Sequence, residues 1–208
     1  MRESFPGVIV KGCFFHLAQN MRKKLGELGL TRFYNEDPEF SLKAKMITAL
    51  SFVPIDNLDD AIDTLSNVLP PELHQLLNWF EDNYVGRPNR RGNGRRAPLF
   101  DVEMWNLYQR TLAGKDRTNN HAEAAHRRLQ TELGVQHPTL WKFIDGLRAV
   151  QKGRDIYYEH IIAGNEPVKK LRRYREVDAR ILHIVQNFER HNVVEYLRGI
   201  AHNYQMGL

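Results

Sequence analysis

Cysteine is nearly missing from this chain of 208 residues: Cys13 stands alone. An internal disulfide is therefore excluded, and a single thiol points to a reducing, intracellular setting. No apolar run approaches the roughly 20 residues that a bilayer-spanning helix needs. The opening MRESFPGVIVKGCFF has a short apolar run but not the layout of a signal peptide. A Gly-rich phosphate loop, a nucleophile elbow and a Cys-x-x-Cys pair are all absent, which removes common signatures of nucleotide binding, serine hydrolysis and thiol redox chemistry. No segment repeats at a fixed period. The expectation is a soluble protein that stays inside the cell, with neither a membrane nor a small-molecule substrate as partner.

What is present is basic. The formal net charge is +5, a modest excess whose distribution matters more than its size. Arg87, Arg90, Arg91, Arg95 and Arg96 fall together with no acid among them, inside GRPNRRGNGRRAP (residues 86–98). Glycine, proline and asparagine there exclude a packed core, so the segment reads as a basic loop. Arginine rather than lysine throughout favours phosphate, because the planar fork donates paired hydrogen bonds. A second cluster, Lys169, Lys170, Arg172, Arg173 and Arg175, reads as a solvated helix face, with DNA contact as the alternative.

The apolar pattern is mostly helical. Val8–Phe15, VIVKGCFF, is β-branched and aromatic and predicts one short buried strand. Leu17, Met21, Leu25 and Leu28 then recur at helical spacing until Gly29. Three helices punctuated by proline follow, from Pro38, from about Asn57 and after Pro70-Pro71. Leu99–Leu112 is ambiguous between strand and helix. A helix begins at Asn119 or Asn120, another at Thr139, and the last third is helical and charged. Trp141 reads as a core anchor.

Residues 117–129, RTNNHAEAAHRRL, contain one acid, Glu123. With Asn120 as N-cap, Glu123 falls at the third helical position and completes a capping box. A helix also spaces Glu123, His126 and Arg127 at i, i+3 and i+4, so one face offers a carboxylate, an imidazole and a guanidinium. A carboxylate can hold a hard divalent ion while the arginines meet phosphate. The two readings are compatible. Cys13 and His16 have metal-ligand spacing but make half a zinc site at most; His121 and His126 are the residues that can complete one. A buried thiol beside a hydrogen-bonded histidine is the alternative.

SFPGVIVKGCFFHLAQNMRKKLGELGL, ALSFVP, FEDNYVG, LFDVEMWN, RTNNHAEAAHRRL and HPTLWKFIDGLRAVQ together resemble, in order and spacing, the catalytic domain of Mutator-like element (MULE) transposases. The resemblance covers roughly residues 5 to 152. It implies a mainly α chain with a small β component: an incomplete RNase H-like core with a helical insertion. On that reading residues 1–34 are a strand-helix remnant of the core and 35–97 the insertion with its basic loop. Residues 98–152 return to the core with the Glu-bearing helix, and 153–208 are charged C-terminal helices. The resemblance assigns Cys13, His16, Asn119, Asn120 and His126 to the family signature. It makes Glu123 the third acid of a catalytic set that holds two magnesium or manganese ions. Arg87, Arg90, Arg91, Arg95, Arg96, Arg127 and Arg128 are the expected DNA contacts. The family's tryptophan before the histidine is Ala125 here.

In that family two aspartates precede the Cys-x-x-His segment, whereas the first aspartate of this chain is Asp37. Two-metal phosphodiester chemistry needs ions about 4 Å apart, held between carboxylates. The expectation is a transposase fragment, inactive alone, binding no metal tightly, nuclear, and in contact with DNA or with further copies of itself. Two alternatives stay open: a domesticated nucleic-acid-binding or protein-interaction module, and a small zinc-stabilised helical protein.

Overall fold

The computed structural model describes residues 7–89, 94–134, 137–166 and 171–206, with the side chains of Asn120 and His121 set aside. Arg90, Arg91, Lys169 and Lys170 lie outside the described residues. In chain order the helices are α1 (Phe14–Glu27), α2 (Thr31–Glu36), α3 (Pro38–Ala49), α4 (Leu58–Ser66), α5 (His74–Phe80), α6 (Val102–Trp105), α7 (Tyr108–Leu112), α8 (Asn120–Leu133), α9 (Leu140–Ile162), α10 (Arg172–Gln186) and α11 (Val193–Ala201). The chain is thus mainly α. Among the described residues, extended backbone pairs at one isolated bridge, Pro88 with Arg95.

The strand expected at Val8–Phe15 does not form. Residues 8–13 take no regular structure, and Phe14 and Phe15 already belong to α1. A strand needs a neighbour to complete its ladder of N–H and C=O groups. Here Gly12 donates to the Met104 carbonyl (2.7 Å) and Phe14 to that of Arg117 (2.9 Å), which are single tethers to backbone that is not extended. Val8 and Ile9 are correspondingly exposed.

Contacts divide the chain into two units, Met1–Thr118 with Arg175–Leu208, and Asn119–Tyr174. In the first, local chemistry sets the helix ends. Gly29, at φ +75°, takes the left-handed conformation just past α1. Its N–H reaches the Gly26 carbonyl while that of Leu30 reaches Leu25, a Schellman cap whose two leucines are both buried. The Asp37 carboxylate accepts from the N–H groups of Glu39 (2.9 Å) and Phe40 (3.1 Å), with Pro38 opening α3. Beyond α5 the helix widens into a π turn over Glu81–Val85, ended by Gly86. The ambiguous Leu99–Leu112 stretch becomes the short helices α6 and α7, joined through Asn106.

Helix α3 forms the centre of this unit, with Ala44, Ile47 and Ala49 fully buried. Helix α11 packs on it through Tyr196, Leu197 and Ile200, which are also sealed from solvent. The Tyr196 hydroxyl donates to the Phe52 carbonyl, that of Tyr204 to the Lys45 carbonyl, and Arg198 pairs with Glu39 (2.6 Å). Burial holds the Tyr196 phenol well above its ordinary pKa and lowers that of Lys45.

The second unit is built on α8 and α9, which pack side by side. No residue of α9 is fully buried. Trp141 is no core anchor: it is 74% exposed. Gly146 lies against Leu133, the last residue of α8. Trp141, more than a turn earlier on α9, therefore projects past the end of its partner helix.

Candidate nucleic-acid interface and metal-ligand helix

Asn119, rather than Asn120, is the N-cap of α8, and its backbone carbonyl accepts from the Glu123 N–H (3.1 Å). Ala122 therefore occupies the third helical position and Glu123 the fourth, so the register of a capping box with Asn120 does not arise. Glu123 remains in the first turn, where its charge opposes the positive end of the helix dipole. It is half-buried, while His126 and Arg127 on the same face are exposed. Arg128 is exposed too and pairs with Glu132 (2.9 Å), a surface i,i+4 bridge.

Glu123 brings one carboxylate, and its helical neighbours bring an imidazole and a guanidinium. Magnesium favours six oxygen ligands in octahedral array. The other oxygens of a two-ion site have to come from elsewhere than this face. Among the described residues no three His, Cys, Asp or Glu side chains cluster as a metal site. Cys13, half-buried, is the N-cap of α1, and His16 stands exposed at its third position with its ring edge against Phe15. His126 belongs to the second unit, and the His121 side chain lies outside the described residues.

Two arginines that sequence reasoning passed over hold the start of α1. Arg110 donates to the carbonyls of Gly12 (2.7 Å) and Asp116 (2.5 Å). Arg117 sits over the Phe52 ring and pairs with Asp178, while its carbonyl takes the Phe14 N–H. Burial lowers both guanidinium pKa values, and Cys13, Asp116 and Asp178 act in the opposite direction. The available signal was position: Arg117 opens the RTNNHAEAAHRRL stretch.

The basic loop splits into two kinds of arginine. Arg87 binds Asp82 (2.6 Å) and Glu81 (3.1 Å) and reaches Asn78. Arg95 binds Asp59 (2.8 Å), Glu81 (3.4 Å) and the Gly86 carbonyl. The hydrogen bond to Asp82, reinforced by the Glu81 and Asp82 charges, raises the Arg87 pKa against the opposing effect of burial. Backbone bonds from Asn89 to Gly94 and from Arg96 to Arg87 pin the same stem. Arg96, by contrast, is exposed. Arg87 and Arg95 thus clamp the loop onto the π turn, and Arg96 is the described member of the cluster left facing solvent.

Hydrogen bonds join four of the quoted stretches and the first residue of a fifth, Arg117. The Trp105 indole N–H donates to the Tyr84 carbonyl (2.7 Å), joining LFDVEMWN to FEDNYVG. The Asn106 amide donates to the Val53 carbonyl (2.8 Å), tying the same segment to ALSFVP, and the N–H of Leu107, the next residue, donates to the Ser51 carbonyl (2.7 Å). Gly12 and Phe14 tie the GCFFH segment to Met104 and Arg117. No protein-family model, no curated protein and no solved structure matches the chain. Residues 119–174 hold ten Lys and Arg against six Asp and Glu, an excess of four in a chain whose net charge is +5. The Glu123-bearing unit is where the positive charge resides.

Proposed function

We propose that the chain derives from a MULE-type transposase and represents the insertion and C-terminal part of an RNase H-like catalytic domain. In that role Glu123 is the third acidic ligand to magnesium or manganese, and Arg96, Arg127 and Arg128 contact the DNA backbone in the nucleus. The observation that carries this reading is the set of hydrogen bonds, buried at Trp105 and Asn106, that joins the motif stretches from Gly12 to Arg117. Segments scattered from Gly12 to Arg117 act as one assembly, as expected if they were inherited together. Arg87 and Arg95 leave the set of DNA contacts, because their guanidinium groups are committed to acids of the fold.

Within these 208 residues no aspartate precedes Cys13. The chain alone then supplies one of the three carboxylates that the two-ion chemistry uses, and strand cleavage requires the other two from elsewhere. The test is direct. Purified protein incubated with magnesium or manganese and a terminal-repeat duplex is expected to bind the DNA without nicking it. Metal-dependent nicking refutes the inactivity. Binding is expected to weaken with salt, and replacing Arg96, Arg127 and Arg128 with glutamine to reduce the log–log salt slope by about 1 for each phosphate no longer neutralised. A slope unchanged in that variant refutes the assignment of the arginines. Binding without nicking also fits a domesticated DNA-binding module, and a complementing polypeptide that carries the missing aspartates separates the two: restored cleavage, abolished again in Glu123→Gln, identifies the transposase site.

A further inference from the structure

The second unit has an unfinished apolar surface. Between α8 and α9 runs an open groove of about 720 Å³. Its floor is Ala122, Ala125 and Leu129 from one helix and Ile144, Leu147 and Val150 from the other. Leu147 is 40% exposed, and no side chain of α9 is buried. Two helices that pack along one line leave each other's flanks wet, and a third helix laid in the groove is the usual completion of such a pair. Alanines on the α8 side let another backbone approach closely.

The rim selects the occupant. His126, Arg148, Gln151 and Arg154 edge the groove, and no acid is among its described lining residues. Arg148 touches Asp145 at 3.5 Å, an exposed pair of little strength. Arg154 is exposed. A nucleic acid matches the rim but not the floor, because phosphates gain nothing from leucine and valine. A basic or neutral helix matches the floor but not the rim.

We propose that this groove binds an amphipathic α-helix of a partner protein whose apolar stripe is flanked by carboxylates. Leucine-type side chains enter between α8 and α9, and glutamate or aspartate on either edge meets Arg148 and Arg154. Charge complementarity sets the partner's sign and the apolar floor holds it. This goes beyond the proposed transposase origin and does not depend on it.

The experiment uses the full chain and two fluorescent peptides of about 16 residues, each with leucines at i, i+3, i+4 and i+7 spacing. One carries glutamate at the flanking positions, the other lysine. The glutamate peptide is expected to bind at least about tenfold more tightly than the lysine peptide. Arg148→Glu with Arg154→Glu, both exposed positions, is expected to reverse that preference while circular dichroism stays unchanged. Leu147→Ala is expected to weaken the glutamate peptide and leave duplex-DNA affinity alone. Equal binding of the two peptides, no binding of either, or indifference to the rim reversal overturns the proposal. So does a Leu147→Ala variant that loses DNA affinity in step with peptide affinity, or a self-association of the chain that this variant abolishes.

Discussion

Changing Arg87 and Arg95 together to glutamine removes both cations from Glu81, whose side chain is 11% exposed. The two arginine side chains are themselves 32% and 19% exposed, so water screens the pairs in part. Stripping every partner from a buried charge costs about 3–5 kcal/mol; with this exposure a loss of about 2–4 kcal/mol is expected. The bridges to Asp82 and Asp59, whose side chains are 56% and 66% exposed, add at most about 1 kcal/mol each. In a domain of this size the total corresponds to a fall in Tm of about 4–24 °C. Arg96→Gln, at an exposed position, is expected to change stability by less than about 0.5 kcal/mol. Urea denaturation of the three proteins measures this directly. Adding Glu81→Gln to the double variant is expected to recover part of the loss, because no buried carboxylate is then stranded. A double variant as stable as the parent but weaker on DNA refutes the clamp and returns Arg87 and Arg95 to the phosphate-binding set.

Two further predictions concern the same unit. Gly86→Ala places a Cβ 1.9 Å from the Arg96 carbonyl oxygen, at φ +86° and ψ 149°, a region open essentially to glycine. Strain alone predicts a loss of at least about 1–3 kcal/mol, read by thermal unfolding; a variant of unchanged Tm contradicts the loop geometry. At alkaline pH, burial raises the Tyr84 and Tyr196 pKa values from the ordinary 10.0, so the unfolded chain loses these protons first and stability falls as pH rises above that value. Lys45, lowered from 10.5, acts oppositely, since the unfolded chain then holds the extra proton below 10.5. Tyr108 and Tyr204 are raised as well, so with four phenols against one ammonium, unfolding in urea is expected to need less denaturant at about pH 11 than at about pH 9. An unchanged midpoint counts against the burial of these rings.

Helix ends were legible where a single residue type decides them: Pro38 at the start of α3, Gly29 after α1, Thr139 before α9. Each acts within its own turn, so neighbours in sequence suffice. VIVKGCFF misled because β-branched residues favour extended backbone while a strand also requires an adjacent strand, which no local pattern supplies. Trp141 misled for a related reason. Its burial depends on how far α8 extends alongside α9, which is a property of two segments. The loop arginines were visible as a cluster, but their division was not. Glu81 and Asp82 precede them within the FEDNYVG stretch, and the π turn that aims those carboxylates at Arg87 and Arg95 has no compositional signature. Glu123 was visible as the sole acid in its stretch, and a shift of one residue in the N-cap altered its helical position without removing it from the first turn.

The packing of α11 on α3 bears on how the chain acquires its structure. Arg198 with Glu39 and Tyr204 with Lys45 each join residues 159 positions apart, and Tyr196 with Phe52 spans 144. A ribosome delivers the N-terminal partner long before the C-terminal one. During synthesis α3 waits with one flank uncovered, exposed to chaperones and to self-association, until α11 emerges. Such distant closures slow folding, because loop entropy is lost before the contact that rewards it forms. The core of the first unit is therefore completed only once α11 has been made, after the intervening Asn119–Tyr174 segment has already emerged and can form its own helices.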